Sequence, residues 1–289
     1  MAMIKQIKTI LVPVDFTENT EVAISKALEF CQEENDSTIH LFHVQRIVTN
    51  GLPRLYKSIF AGYTQQQVNL DMKRSFNRLQ ELAGKIKKEK QGINFICSVS
   101  FGDPVQESIG QKAKQLSADL IIIGKRSHHS FLTFLNTVTP NKLALITGKP
   151  VLTSKPGSLN QKIKTVVIPI GKQFPASKLD MIGALKNKLR PHVRLVVFED
   201  DGSESTHSRH LLLETFRAFK SRFTHPIHYE VLDGTNKAKA LLQYCNKVGA
   251  DVLLVYSGVE TRVGNWTNTH ISDLIPASSK TQILAISQT

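Results

Sequence analysis

Short stretches of this sequence carry groups that could hold an anionic, nitrogen-rich ligand. Asp15 and Phe16 follow the apolar run Ile10-Leu11-Val12-Pro13-Val14, and Thr17 is placed to cap a following helix. Gly124 closes the run Leu120-Ile121-Ile122-Ile123 and leads into Lys125-Arg126-Ser127. Asn136-Thr137 stands where the spacing places a helix N-terminus, whose free N–H groups and dipole attract anions. In combination, Asp15 accepts hydrogen bonds from a base or ribose and Gly124 lets the backbone approach closely. The loop and the Thr137 hydroxyl then meet phosphates. Each group alone also has a plain structural reading: a solvated loop carboxylate, a turn glycine, a helix cap.

Other chemistries lack their residues. Gly124-Lys125, Gly148-Lys149 and Gly171-Lys172 are followed by Arg, Pro and Gln, so no Gly-x-x-x-x-Gly-Lys-Ser/Thr phosphate loop exists. His128-His129 has no Cys, Asp or Glu ligand nearby in sequence, and adjacent side chains rarely converge on one ion, so no metal site is expected. No Gly-x-Ser-x-Gly elbow or Cys/His signature supports nucleophilic hydrolysis. Cys31, Cys97 and Cys245 are too far apart for a disulfide framework or a ligand spacing; they read as small buried hydrophobes in a reducing cytoplasm. Trp266 reads as partly buried beside the last helix.

The elements that must position these groups repeat along the chain. Ile7-Lys8-Thr9-Ile10-Leu11-Val12-Pro13-Val14 returns as Ile163-Lys164-Thr165-Val166-Val167-Ile168-Pro169-Ile170, 156 residues later. Ala118-Asp119-Leu120-Ile121-Ile122-Ile123 returns as Ala250-Asp251-Val252-Leu253-Leu254-Val255, 132 residues later, and the same offset carries Gly102, Asn136-Thr137 and Pro150-Val151-Leu152. The fall between offsets places a deletion of 24 residues in the middle of the second copy. Strands are expected near 8–14, 38–44, 93–100, 119–123 and 150–153, with helices near 18–34, 65–90, 104–116 and 137–147. Continuous apolar strands alternating with helices predict α/β architecture, a five-stranded doubly wound parallel sheet in each copy. Ser154 to Asn160 has the composition of an exposed linker, dividing the chain into domains 1–156 and 157–289. Ligands of such sheets sit outside the carboxyl ends of the strands, where the strand order reverses.

Length and charge narrow the class. The 289 residues are 41% hydrophobic and 21% charged, a globular composition sufficient for two domains. No apolar run reaches the ~18 residues of a membrane span, and no signal peptide or membrane association is expected. The net charge of +13 is spread evenly: 20 basic against 13 acidic residues in 1–160, and 17 against 11 in 161–289. Its densest stretch, Lys73 to Lys90, carries Phe76, Leu79, Leu82 and Ile86 at helical spacing and reads as a solvated helix face; nucleic-acid binding is not expected.

The opening Ile10-Leu11-Val12-Pro13-Val14-Asp15-Phe16-Thr17, the Gly102-Asp103-Pro104 turn, the strand Ala118 to Gly124 and the closing Lys149-Pro150-Val151-Leu152 resemble the universal stress protein family, in a tandem form with two such domains. The resemblance implies an adenine nucleotide alpha hydrolase-like fold of strand order 3-2-1-4-5, a cytoplasmic location, a stress or regulatory role, and pairing of the two domains through their last strands as an internal pseudo-dimer. The resemblance also implies Val44 and Ile123 as walls for a base. The chain is expected to be a non-enzyme, with slow ATP hydrolysis as a rival reading, and to meet an unidentified regulatory protein partner, a further homodimer being open to it. Family members that bind ATP carry Gly-x-x-Gly-x9-Gly-Ser/Thr; here Ser127 replaces the second glycine and Asn136-Thr137 the final pair. The first domain therefore reads as a degraded site for one adenine nucleotide, ATP or AMP, with Mg²⁺ if occupied, framed by Asp15, Phe16, Val44, Ile123, Gly124, Arg126, Ser127, Asn136 and Thr137. The alternative is an interaction scaffold with both sites vestigial. In the second domain Gly171 replaces Asp15 and Tyr256 replaces Gly124, so nucleotide binding in the family manner is not expected there.

Overall fold

The computed structural model describes residues 6–31, 37–45, 65–90, 92–102, 104–125, 138–185, 189–198, 203–233, 236–258, 260 and 271–288. The first run of elements is β1 (Thr9–Pro13), α1 (Glu18–Phe30), β2 (Thr38–Gln45), α2 (Gln65–Glu89), β3 (Asn94–Phe101), α3 (Val105–Gln115), β4 (Leu120–Gly124), α4 (Pro140–Thr147) and β5 (Val151–Ser154). The second is β6 (Thr165–Pro169), α5 (Ala176–Leu185), β7 (His192–Phe198), α6 (Ser203–Arg222), β8 (Ile227–Leu232), α7 (Lys237–Val248), β9 (Val252–Tyr256), α8 (Ile271–Leu274) and β10 (Gln282–Ile286).

The strands form one ten-stranded sheet in the order β3-β2-β1-β4-β5-β10-β9-β6-β7-β8. Every pairing is parallel except β5 with β10, which run antiparallel with Leu152 opposite Leu284. Successive strand residues face opposite sides, as a pleated strand requires. Ile10, Val12, Leu120 and Ile122 therefore enter one hydrophobic core, and Leu11, Ile121 and Ile123 the other. Because helices cover both faces, the central strands are apolar at nearly every position. α2 turns Leu79 and Ala83 inward, while Lys73, Arg74, Lys85, Lys87 and Lys88 stay exposed.

The two runs repeat hydrogen bonds as well as sequence. Asp119 accepts from the Lys8 and Thr9 N–H groups at 3.1 and 3.0 Å, and Asp251 from those of Lys164 and Thr165 at 2.9 and 2.9 Å. The Lys125 N–H donates to the Ser154 carbonyl at 2.9 Å, and the Ser257 N–H to that of Ile286 at 2.8 Å. Each carboxylate thus ties the start of the inner strand to its neighbour.

Two expectations need correction. The stretch Ser154 to Asn160 is not an exposed linker: Ser154 belongs to β5, Pro156–Ser158 form a 3-10 turn, and Lys155 and Ser158 are buried. The connection passes beneath residues 277–279, where the Gly157 N–H donates to the Ala277 carbonyl at 2.8 Å. A Cβ on Gly157 would lie 2.1 Å from the Ser278 oxygen, so glycine serves close approach there rather than flexibility. The second correction concerns α4, which starts at Pro140 with Thr139 as its N-cap, three residues later than expected. Proline fixes the first helical φ and pushes the preceding residue out of helical geometry.

Candidate functional site

The carboxyl ends of β1 and β4 lie side by side, and Asp15 and Gly124 both stand there. Asp15 is engaged by the start of α1. Its Oδ1 accepts from the Thr17 N–H at 3.1 Å, the Thr17 hydroxyl at 2.7 Å and the Thr20 hydroxyl at 2.8 Å. Its Oδ2 accepts from the Asn19 side-chain amide at 3.4 Å. The Asp15 N–H donates in turn to Thr20 Oγ1 at 3.1 Å, and Thr17 Oγ1 caps α1 by accepting from the Asn19 N–H at 3.2 Å. These four donors all belong to the first turn of α1 or the residue that caps it. The Asp15 carboxylate serves the turn from β1 into α1 before it serves any ligand.

Gly124 is also tied to α1. A Cβ built on it would lie 1.8 Å from the Asn19 carbonyl oxygen, a contact no side chain can make, so the helix backbone fills the space that glycine leaves. Phe16 takes a left-handed φ of 59°, turning the chain out of the strand. Its ring lies 4.8 Å from the His43 ring, and the Arg78 guanidinium of α2 stacks over it at 4.0 Å. Burial holds His43 below its ordinary pKa, opposed by the hydrogen bond between its Nδ1 and the Val14 carbonyl at 2.8 Å.

Val44 and Ile123 are 1% and 0% exposed and share the core on one face of the sheet, whereas Phe16 packs against the core on the other. The structure thus brings Asp15 and Gly124 together and separates Phe16 from the two aliphatic residues. Arg126, Ser127, Asn136 and Thr137 lie outside the described residues, as do His128, His129 and Trp266.

The Lys125 side chain is buried and reaches from the end of β4 to α8 of the second run. Its ammonium donates to the Val138 carbonyl at 3.3 Å and to Asp273 Oδ1 of α8 at 3.3 Å. Lys155 lies beside this pair, 1% exposed, and its Nζ has no hydrogen-bond partner among the described residues. Burial and the charge of Lys125 push its pKa down to about 8, although Asp273 opposes them. Sequence reasoning missed this trio, because it forms only when α8 folds over the ends of β4 and β5.

The equivalent strand ends of the second run, β6 and β9, carry a buried ion pair. Lys178 is fully buried; its ammonium donates to the Pro169 carbonyl at 2.6 Å and to both Glu260 oxygens at 2.8 and 2.6 Å, and it lies 4.3 Å from the Tyr256 ring. Glu260 also accepts from the Tyr256 N–H at 2.8 Å. Burial lowers the Lys178 pKa while the Glu260 charge opposes that shift. Gly171 and Glu260 line one wall of an adjoining cleft of about 260 Å³ that reaches Phe198 and Lys237.

Among the described residues no cluster of His, Cys, Asp and Glu could hold a metal ion, and no described helix is long and apolar enough to cross a membrane. Burial raises the Cys97 thiol pKa and pushes that of Cys245 up to about 12, so neither presents a thiolate near neutral pH.

The fold recurs in solved structures. A universal stress protein from Archaeoglobus fulgidus DSM 4304 has a TM-score of 0.66 at 14% identity, over 98% of this chain and 97% of its own. A functionally unknown protein from Pseudomonas aeruginosa PAO1 has a TM-score of 0.58 at 16% identity, over 98% and 94%. The cytoplasmic domain of a prokaryotic cation chloride cotransporter has 0.51 at 10% identity, over 97% and 95%. Comparison with curated proteins finds no match. The model of the universal stress protein family matches residues 6–155, more than half of the sequence, and the chain belongs to that family.

Proposed function

We propose that this chain is a two-copy universal stress protein that works as a cytoplasmic regulatory interaction protein, without catalysis and without a nucleotide held at the Asp15–Gly124 end of its first half. The observation that carries this reading is the double use of α1. Its first turn engages the Asp15 carboxylate, and its Asn19 backbone fills the space beside Gly124. In the second half, the Lys178–Glu260 pair and Tyr256 stand where a ligand would need open backbone. The recurring Asp119 and Asp251 anchors and the Leu152–Leu284 pairing support reading the sheet as two five-stranded copies joined through their last strands, divided near residue 157.

The test is calorimetric titration of the purified protein with ATP, AMP and Mg²⁺. The expected result is no heat of binding. Saturable binding near one nucleotide per chain, lost in Asp15→Ala, would overturn the reading. It would favour the rival, an adenine nucleotide with Mg²⁺ in the first half, for which one observation speaks: among the described residues Asp15 Oδ2 accepts from the Asn19 amide at 3.4 Å alone and keeps capacity to accept from a ligand.

A further inference from the structure

The seam between the halves has two corresponding corners, and among the described residues one is filled by an ion pair and the other holds a cleft. In the first, α1 reaches the chain entering β6: Glu29 Oε1 accepts from the Ile163 N–H at 2.6 Å, the Lys26 ammonium donates to the Gln161 carbonyl, and the two side chains pair at 3.1 Å. Lys26 is 1% exposed, so an ammonium and a carboxylate are tucked together into this corner.

In the other corner α5 replaces α1 and the chain entering β1, described from residue 6, replaces that entering β6. The buried positions of α1, Ala23, Ile24, Lys26, Ala27 and Phe30, match Lys178, Leu179, Met181, Ile182 and Leu185 of α5 at a spacing of 155. On that alignment Met181 stands for Lys26 and Ala184 for Glu29. Neither residue can form the ion pair, and among the described residues an open cleft of about 260 Å³ lies beside them. Ile7, the counterpart of Ile163, forms one wall with Pro150, and Met181, Ala184 and Ile286 form the rest of the apolar lining. Lys149 and Asp180 stand at its rim; the Asp180 side chain is 73% exposed and its Oδ1 accepts from Arg222 Nη1 of α6 at 3.5 Å, an exposed pair. Asp119 also borders the cleft, but its Oδ2 is taken by the Lys8 and Thr9 N–H groups.

We propose that this cleft binds a small zwitterion with an aliphatic body, of the class of a free apolar amino acid. The filled corner is its template. The ligand carboxylate takes the place of Glu29 against the Ile7 N–H, with Lys149 supplying positive charge, and the ligand ammonium takes the place of Lys26, competing with the exposed Arg222 for Asp180. The aliphatic body lies on Met181, Ala184 and Ile286, and removing it from water supplies the non-directional part of the affinity. The opposite charges at the rim favour a ligand carrying both signs over one carrying either alone.

The test is calorimetric titration of the full chain with L-leucine, 4-methylpentanoate and 3-methylbutylamine, which share one aliphatic body and differ in charge. Leucine is expected to bind, and each singly charged analogue at least about tenfold more weakly. Met181→Lys with Ala184→Glu installs the built-in pair of the other corner and is expected to abolish leucine binding. Asp180→Lys, at a surface position that does not decide folding, is expected to weaken binding at least about tenfold. No leucine binding up to about 10 mM overturns the proposal. So does equal binding of the three compounds, or affinity undiminished in a folded double variant. If the double variant does not fold, undiminished affinity in Asp180→Lys has the same force.

Discussion

Replacing Lys155 by methionine should stabilise the protein at neutral pH, because the native residue buries an ammonium that no described group accepts. Among the described residues Lys155 Nζ has no hydrogen-bond partner, so methionine, of similar length, forfeits no bond there. The fall of its pKa from 10.5 to about 8 corresponds to roughly 3 kcal/mol at 1.36 kcal/mol per pH unit. The sign follows from proton counting. Below pH 8 the lysine is charged in both folded and unfolded chains, and the folded state bears the whole cost. Between pH 8 and 10.5 the unfolded chain keeps the proton that the folded chain has lost, so the stability of the native protein climbs with pH. Lys155→Met should therefore gain about 1–3 kcal/mol at pH 7, the lower bound allowing for the lost attraction to Asp273, and the gain should shrink as pH approaches 10. Urea denaturation of both proteins at pH 7, 8, 9 and 10 measures this directly. A variant less stable than the native protein at pH 7, or a difference that does not change with pH, would refute the reasoning.

Three further outcomes follow from the same contacts. Gly124→Ala, which drives a methyl into the Asn19 carbonyl, should cost about 1–3 kcal/mol or more in denaturant titrations; a cost near zero would mean that α1 is not fixed there. Glu260→Ala leaves the buried Lys178 ammonium, among the described residues, with the Pro169 carbonyl and the Tyr256 ring but no counter-charge, and should cost about 3–5 kcal/mol, whereas Lys178→Met with Glu260→Leu should recover much of that loss. Asp251→Ala should cost about 1–3 kcal/mol by freeing the Lys164 and Thr165 N–H groups, seen as faster hydrogen exchange at the start of β6.

The inner strands β1, β4, β6 and β9 were legible because each is a continuous aliphatic run, and the repeats at 156 and 132 residues placed β6, β9 and β10 without any contact information, while β7 and β8 fall between the repeated segments. The inner strands, bounded by Asp119 and Asp251, lie within a residue or two of where the periodicity puts them. The start of α4 was misread because a Thr-rich run offers several caps, and only Pro140 decides among them. The connection after β5 was misread for a different reason: Pro, Gly and Ser describe an exposed loop until another segment folds over it, and here residues 277–279 do so. Gly124 shows the same limit at the candidate site. Its type was legible, but its cause is a backbone contact with Asn19, more than a hundred residues away. The burial of Lys125, placed with the phosphate loop, of Lys155, placed in the linker, and of Lys178 was not legible, since a sequence does not say which ammonium the strand ends will enclose.

The central claim is that Asp15 and Gly124 serve the fold rather than a nucleotide. The most direct measurement is the purine content released by denaturing the freshly purified protein, counted per chain. The account expects a trace far below one per chain, unchanged in Asp15→Asn. Near one nucleotide per chain, falling in that variant while its melting temperature holds, would contradict it.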